Sequence, residues 1–276
     1  MPADPWTLLK AWQFAPGAGI VPAVLAGAYL AAAHLAAAHL AGGRPAERGR
    51  LGGRLAGRRA WPRGRTAAFL GGLAVIAAAT QGPAAVYGDV SPPAHMVQHL
   101  LLIMVAPPLL IYGRPVTLAL HVTRNPWHTR IKRVLRSRVL TAATWPGTGV
   151  VLYSAVVMGT HLTGLLTARG PVHDAEHVAY LAAGYLFFLP VIGSEPIRWR
   201  ASPLGRYLLL LAVMPADMVT GAVLMLRGST GGYSAAGLHA GGLVMVAGSE
   251  LIMAGLALGF AVAVVREAEP TVADQT

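Results

Sequence analysis

Ten histidines stand in this chain of 276 residues, which has no cysteine, and four of them form two pairs at a spacing suited to metal binding. His95 and His99 lie in Pro93-Ala94-His95-Met96-Val97-Gln98-His99, and His173 and His177 in Pro171-Val172-His173-Asp174-Ala175-Glu176-His177. Helical residues four apart share a face, with Cβ atoms about 6 Å apart, so each pair is a two-nitrogen clip. His161 and His239 are further candidate ligands, with Glu176 and Met96 as supporting groups. Imidazole suits copper, zinc, iron and nickel, whereas thioether selects for Cu(I). Met96, Met104 and Met158 share segments with the histidines, which favours copper, with zinc as the alternative. Disulfides, thiolate metal sites and cysteine nucleophiles are excluded.

The elements that must position these groups are apolar helices. Hydrophobic residues make up 55% of the chain and charged residues 12%, a balance no ordinary soluble domain of this length has. Crossing a bilayer takes roughly 20 apolar residues in a helix, and seven stretches qualify, near 18–41, 66–86, 93–113, 139–165, 173–194, 204–227 and 237–264. None alternates with the period of a barrel strand. The expected fold is all-α: a seven-helix integral-membrane bundle forming one domain over residues 1–265, with a polar tail at 266–276. The first stretch reads as a retained helix, since its charge polarity is the reverse of a signal peptide's.

Charge sets the expected orientation. Of the 22 basic residues, 18 fall in three alternate loops: Arg44 to Arg65, Arg114 to Arg138, and Arg198 to Arg206. Loops rich in Arg and Lys stay cytoplasmic, which places the N-terminus outside and the C-terminus inside, in the plasma membrane. The net charge of +11 is then a topology signal. Nucleic acid is not an expected partner, because the loops are too short to form a basic domain; the bilayer is. With this topology His95, His99, His161, His173, His177 and His239 occupy one outward layer. His34, His39, His121 and His128 fall elsewhere and read as structural, and Arg169 and Arg227 read as snorkelling residues at helix ends.

Two carboxylates fall in mid-membrane stretches, Asp217 and Glu250. Burying such charges is costly, so they are expected to face the bundle interior. There they would share a proton or hydrogen bond, and form a proton or cation path beneath the histidines or satisfy backbone loosened by Pro215 and the glycines.

The run His95 to Leu102, followed by Val105-Ala106-Pro107-Pro108-Leu109-Leu110 and Gly113-Arg114-Pro115, resembles the signature helix of the CtaG-type assembly factors of caa(3)-type cytochrome c oxidase. Thr160-His161 with Leu165, and Pro171-Val172-His173 with Glu176-His177, resemble two further blocks of that family. His239 with Gly241-Gly242, Met245 and Gly248-Ser249-Glu250 is similar to its last helix. There the family commonly has an acidic residue before the histidine and a Trp after the glycines; Gly237 and Val246 stand here instead. The likeness covers residues 66–260. It implies a non-enzymatic membrane protein, usually of seven helices, that helps assemble a heme-copper oxidase and has that oxidase's subunits as partners. Copper supply or insertion is inferred for the family and is the expectation here. Three rivals remain: a copper transporter using Asp217 and Glu250, a zinc metalloprotease on the H-x-x-E-H run His173 to His177, and a haem-binding electron carrier.

Overall fold

Proline punctuates the chain. It lacks the N–H that the first helical turn leaves unused, and its fixed φ suits that position. In the computed structural model, which describes residues 10–14, 16–41, 61–163 and 169–268, seven helices begin on one. The elements are α1 (Pro16–Ala41), α2 (Arg63–Gln81), α3 (Pro83–Gly88), α4 (Pro92–Leu100), a π-helical turn (Leu101–Val105), α5 (Ala106–Tyr112) and α6 (Pro115–Val122). The short α7 (Trp127–Leu135) and α8 (Arg138–Ala143) follow, then α9 (Pro146–Leu162), α10 (Pro171–Ile192), α11 (Pro203–Leu226) and α12 (Ala235–Ala268). No strand occurs among the described residues.

Among the described residues, six spans are long and apolar enough to cross a membrane: Gly19–Ala38, Arg63–Gly88, Pro92–Val122, Pro171–Ile192, Pro203–Leu226 and Ala235–Val265. The stretch expected at 139–165 behaves differently. It breaks at Thr144 and Trp145 into α8 and the 17-residue α9, and residues 164–168 lie outside the described residues. Even so, α9 packs alongside α10 and α11 as a member of the bundle. The loop expected after residue 113 is instead largely helical, as α6, α7 and α8. Most of the first basic loop, residues 42–60, and the tail from residue 269 onward also lie outside the described residues.

The central element is the segment from Pro92 to Val122, covered by α2, α10 and α12. Its π turn has a local cause. Pro107 and Pro108 have no N–H, so the Ile103 and Met104 carbonyls lose their i+4 donors. The turn widens and the Ala106 N–H bonds to the Leu101 carbonyl five residues back. Gly184 of α10 lies against the freed Ile103 carbonyl, where an added Cβ would collide with that oxygen and with Pro107. This close approach brings α10 against the histidine-bearing segment. A second one, Gly221 on Gly242, joins α11 to α12.

At the opposite end of α10, Glu195 is fully buried and its carboxylate accepts from the Val116 N–H (2.9 Å), the Thr117 N–H (2.9 Å) and the Thr117 hydroxyl (2.6 Å). It caps α6 after the left-handed turn at Arg114 (φ 51°). Such caps satisfy the free N–H groups of a helix start. The peripheral α1 is tied in by Tyr29, whose ring stacks on Phe69 at 4.1 Å and whose hydroxyl donates to the Gly113 carbonyl.

Candidate metal centre

Three helix ends converge on one histidine cluster. The first turns of α4 carry His95 and His99, with stacked rings 4.3 Å apart. The first turns of α10 carry His173 and His177, 4.2 Å apart. The two clips face each other: His95 is 5.2 Å from His173, and His99 is 6.1 Å from His177. From the last turn of α9, His161 reaches to 5.2 Å from His99 and 6.0 Å from His95. His99 and His161 are wholly buried and His95 nearly so. One nitrogen each from His95, His99 and His173 lie within 4.8 Å of one another. Ligands of a four-coordinate ion with 2.0 Å bonds stand roughly 3.3 Å apart, so ring rotations would close the set.

Hydrogen-bond accounting assigns the free lone pairs. The His161 Nδ1 is 2.9 Å from the Val157 carbonyl, which can only accept, so Nδ1 carries the proton and Nε2 keeps a lone pair. Likewise, the His173 Nδ1 donates to Glu176 Oε2 at 3.2 Å, leaving its Nε2 free. Glu176 thus orients an imidazole, as carboxylates beside metal-binding histidines do. Both nitrogens of His99, Nε2 of His161, Nε2 of His177 and Oε1 of Glu176 are buried without a hydrogen-bond partner. Each such atom costs about 1–3 kcal/mol when left unsatisfied. Several of them facing one another fit a cation held by imidazole nitrogens.

Two groups whose contacts sequence reasoning missed, Tyr180 and Arg227, hold the cluster in place. The Tyr180 hydroxyl is 2.6 Å from Thr160 Oγ1 and 3.0 Å from His161 Nδ1, while its ring packs edge-on against His99 at 4.0 Å. Its signal was present, since 173, 177 and 180 follow the i, i+4, i+7 pattern of one helix face. Arg227 corrects the snorkelling expectation, because it donates to the His161 and Leu162 carbonyls at 3.2 and 3.3 Å and so caps the end of α9. Arg169 likewise pairs with Asp89 (3.7 Å) and donates to its carbonyl.

Other candidates are not brought in. His239, at the start of α12, is exposed, with Nδ1 3.4 Å from the Met225 carbonyl, and its ring touches none of the five. Met96 and Met104 are buried in the apolar core. Asp217 is fully buried but does not hydrogen-bond to Glu250 as expected; its carboxylate accepts from the Tyr153 hydroxyl at 3.1 and 3.3 Å. Glu250 lines a separate groove of about 250 Å³ with Tyr207 and Met214. A larger apolar groove of about 470 Å³ runs between α1, α2 and α10, and His177 and Asp174 lie at its wall.

Comparison with known proteins adds a family. Residues 37–267 match the family model of the cytochrome c oxidase caa3 assembly factor. The chain is 36% identical to uncharacterized proteins of Mycobacterium bovis and Mycobacterium tuberculosis, over 62% of its own length and 28% of theirs. To an uncharacterized protein of Mycobacterium leprae it is 31% identical, over 60% of its length and 27% of the relative's. It therefore spans little more than a quarter of the length of these curated relatives. No solved structure matches the chain at a significant level.

Proposed function

Because the chain belongs to the caa3-type cytochrome c oxidase assembly factor family, we propose that it binds copper through His95, His99, His161, His173 and His177 and passes the ion to an oxidase subunit during assembly. The carrying observation is His99, fully buried among four other imidazoles with neither ring nitrogen partnered. The family supports the oxidase as destination, and the helices support a plasma-membrane location. In this reading α9 completes a seven-helix bundle with the N-terminus outside, and the cluster faces outward. Zinc is the alternative cargo.

Copper here is cargo, and the site suits release as well as capture. His95 and His173 lie in the first turns of α4 and α10, where the partial positive charge of a helix start weakens cation binding by about 0.3–1 kcal/mol, while Glu176 offsets part of this. His177 opens the cluster sideways onto the apolar groove beside α1, where a partner helix of the oxidase can approach its imidazole. The protein acts without catalysis of its own. A protease role is disfavoured by Glu176, whose Oε2 is engaged by His173, and by its burial away from bulk water.

The test is the metal content of the detergent-purified protein after loading with Cu(I) and with zinc, in wild type, His99→Ala and His173→Ala. Near-stoichiometric copper lost in both variants is the expected result. A wild type that retains neither metal sinks the metal reading and leaves the family assignment standing.

A further inference from the structure

The end of the bundle opposite the histidines carries a second candidate site. The cluster sits at the end of α9 and the start of α10; Arg136 and Arg138 precede α9 and Arg198 follows α10. At 1.5 Å per residue these helices put the two ends roughly 25–30 Å apart. Two adjoining cavities of about 380 and 400 Å³ open there, and both are lined by Arg136, Thr141 and Arg198. Arg138 lines the first and Lys132 the second, and among the described residues no carboxylate lines either. Among the described residues none of these four cations is ion-paired. Four unpaired cations around connected concavities make an anion-binding field.

The surroundings narrow the kind of anion. Trp145 is half exposed at the rim of the first cavity, and the Trp199 indole is fixed by donating to the Thr141 carbonyl at 2.8 Å. Tryptophan belts this way where headgroups meet hydrocarbon. Beside the cavities, α7 has no buried residue. Trp127, Ile131 and Val134 fall on one of its faces and Arg130, Lys132 and Arg133 on the rest, with Arg136 just past its end. Trp127 and Val134 are 60% and 59% exposed, the arrangement of a helix lying in the headgroup plane.

We propose that Arg136, Arg138 and Arg198 bind the phosphate headgroup of an anionic phospholipid, with α7 lying in the interface alongside it. Guanidinium groups match phosphate through paired N–H donors, and the acyl chains would run down past Trp145 along the bundle. The proposal does not depend on metal binding.

Native mass spectrometry of the full chain in neutral detergent tests this by titration with phosphatidylglycerol, phosphatidylcholine and inorganic phosphate. Phosphatidylglycerol should bind in preference to phosphatidylcholine, and the double variant Arg136→Gln/Arg198→Gln should weaken it about 10-fold or more. Arg63→Gln, which removes a charge outside the cavities, should change it less than about two-fold. Arg136→Lys/Arg198→Lys, which keeps the charge and loses the paired donors, should bind more weakly than wild type and more tightly than the glutamine variant. Equal affinity for the two lipids, an equal loss in Arg63→Gln, or a full loss in the lysine variant would each overturn the proposal. Complete displacement of the lipid by inorganic phosphate at matched concentration would make the ligand a free anion and overturn it as well.

Discussion

Two buried carboxylates, Asp217 and Glu195, and the buried imidazoles of this bundle face the same cost and meet it in opposite ways. Asp217 receives the Tyr153 hydroxyl, and Glu195 receives three donors from the start of α6. The five imidazoles meet each other, and both nitrogens of His99 and one each of His161 and His177 are left without partners. A buried polar group satisfied within the fold is part of what holds the fold together. A set that leaves lone pairs facing one another stabilises the fold poorly, and makes sense when something else supplies the partner. The same rarity of polar residues in apolar helices therefore marks two different roles, and only their bonding separates them.

The sharpest way to break this contrast is to remove one member of each class. His99→Ala should lower copper retention more than about 100-fold, beyond the range typical of outer-shell changes. In the metal-free protein the space-filling variant His99→Leu, which deletes the unpartnered nitrogens without opening a cavity, should melt no lower than wild type; a large drop in its melting midpoint would assign the His99 imidazole to the scaffold. Glu195→Ala should do the reverse. Removing a charged acceptor from three donors costs about 2–3 kcal/mol of stability, read as a lower melting midpoint, with metal content unchanged.

Tyr153→Phe leaves Asp217 without its donor and should destabilise by about 1–2 kcal/mol, again without loss of metal. If metal is lost in proportion, the carboxylate layer and the cluster are coupled, and the two regions must be read as one path. The smallest effect belongs to His239→Ala. Its exposed ring lies outside the cluster, so copper content should stay within about two-fold of wild type when measured under the same loading conditions.

Much of this was legible before any coordinates. The apolar lengths located most of the long helices, and the i, i+4 spacing predicted both clips, because helical periodicity is local. Pairing between helices has no such local signature. His239 carries the same residue type at an expected depth, yet its ring is exposed and contacts none of the other five. Arg227 reads as a lone cation at a helix end until the α9 carbonyls are seen beneath it. Glu195 gave no signal, since two of its three donors are backbone N–H groups that look alike in every sequence.

By itself, then, the sequence determined that this is a helical membrane protein of the caa3 oxidase assembly factor family, with histidine clips at two helix starts. The tertiary structure decided that the clips face each other and that His161 joins them while His239 does not. It also decided that Asp217 belongs to Tyr153. The physical reason is that helix position follows from residue spacing along the chain, whereas helix contact follows from crossing and depth. Those depend on backbone approaches such as Gly184 on the carbonyl that Pro107 frees, a geometry that neither residue announces alone.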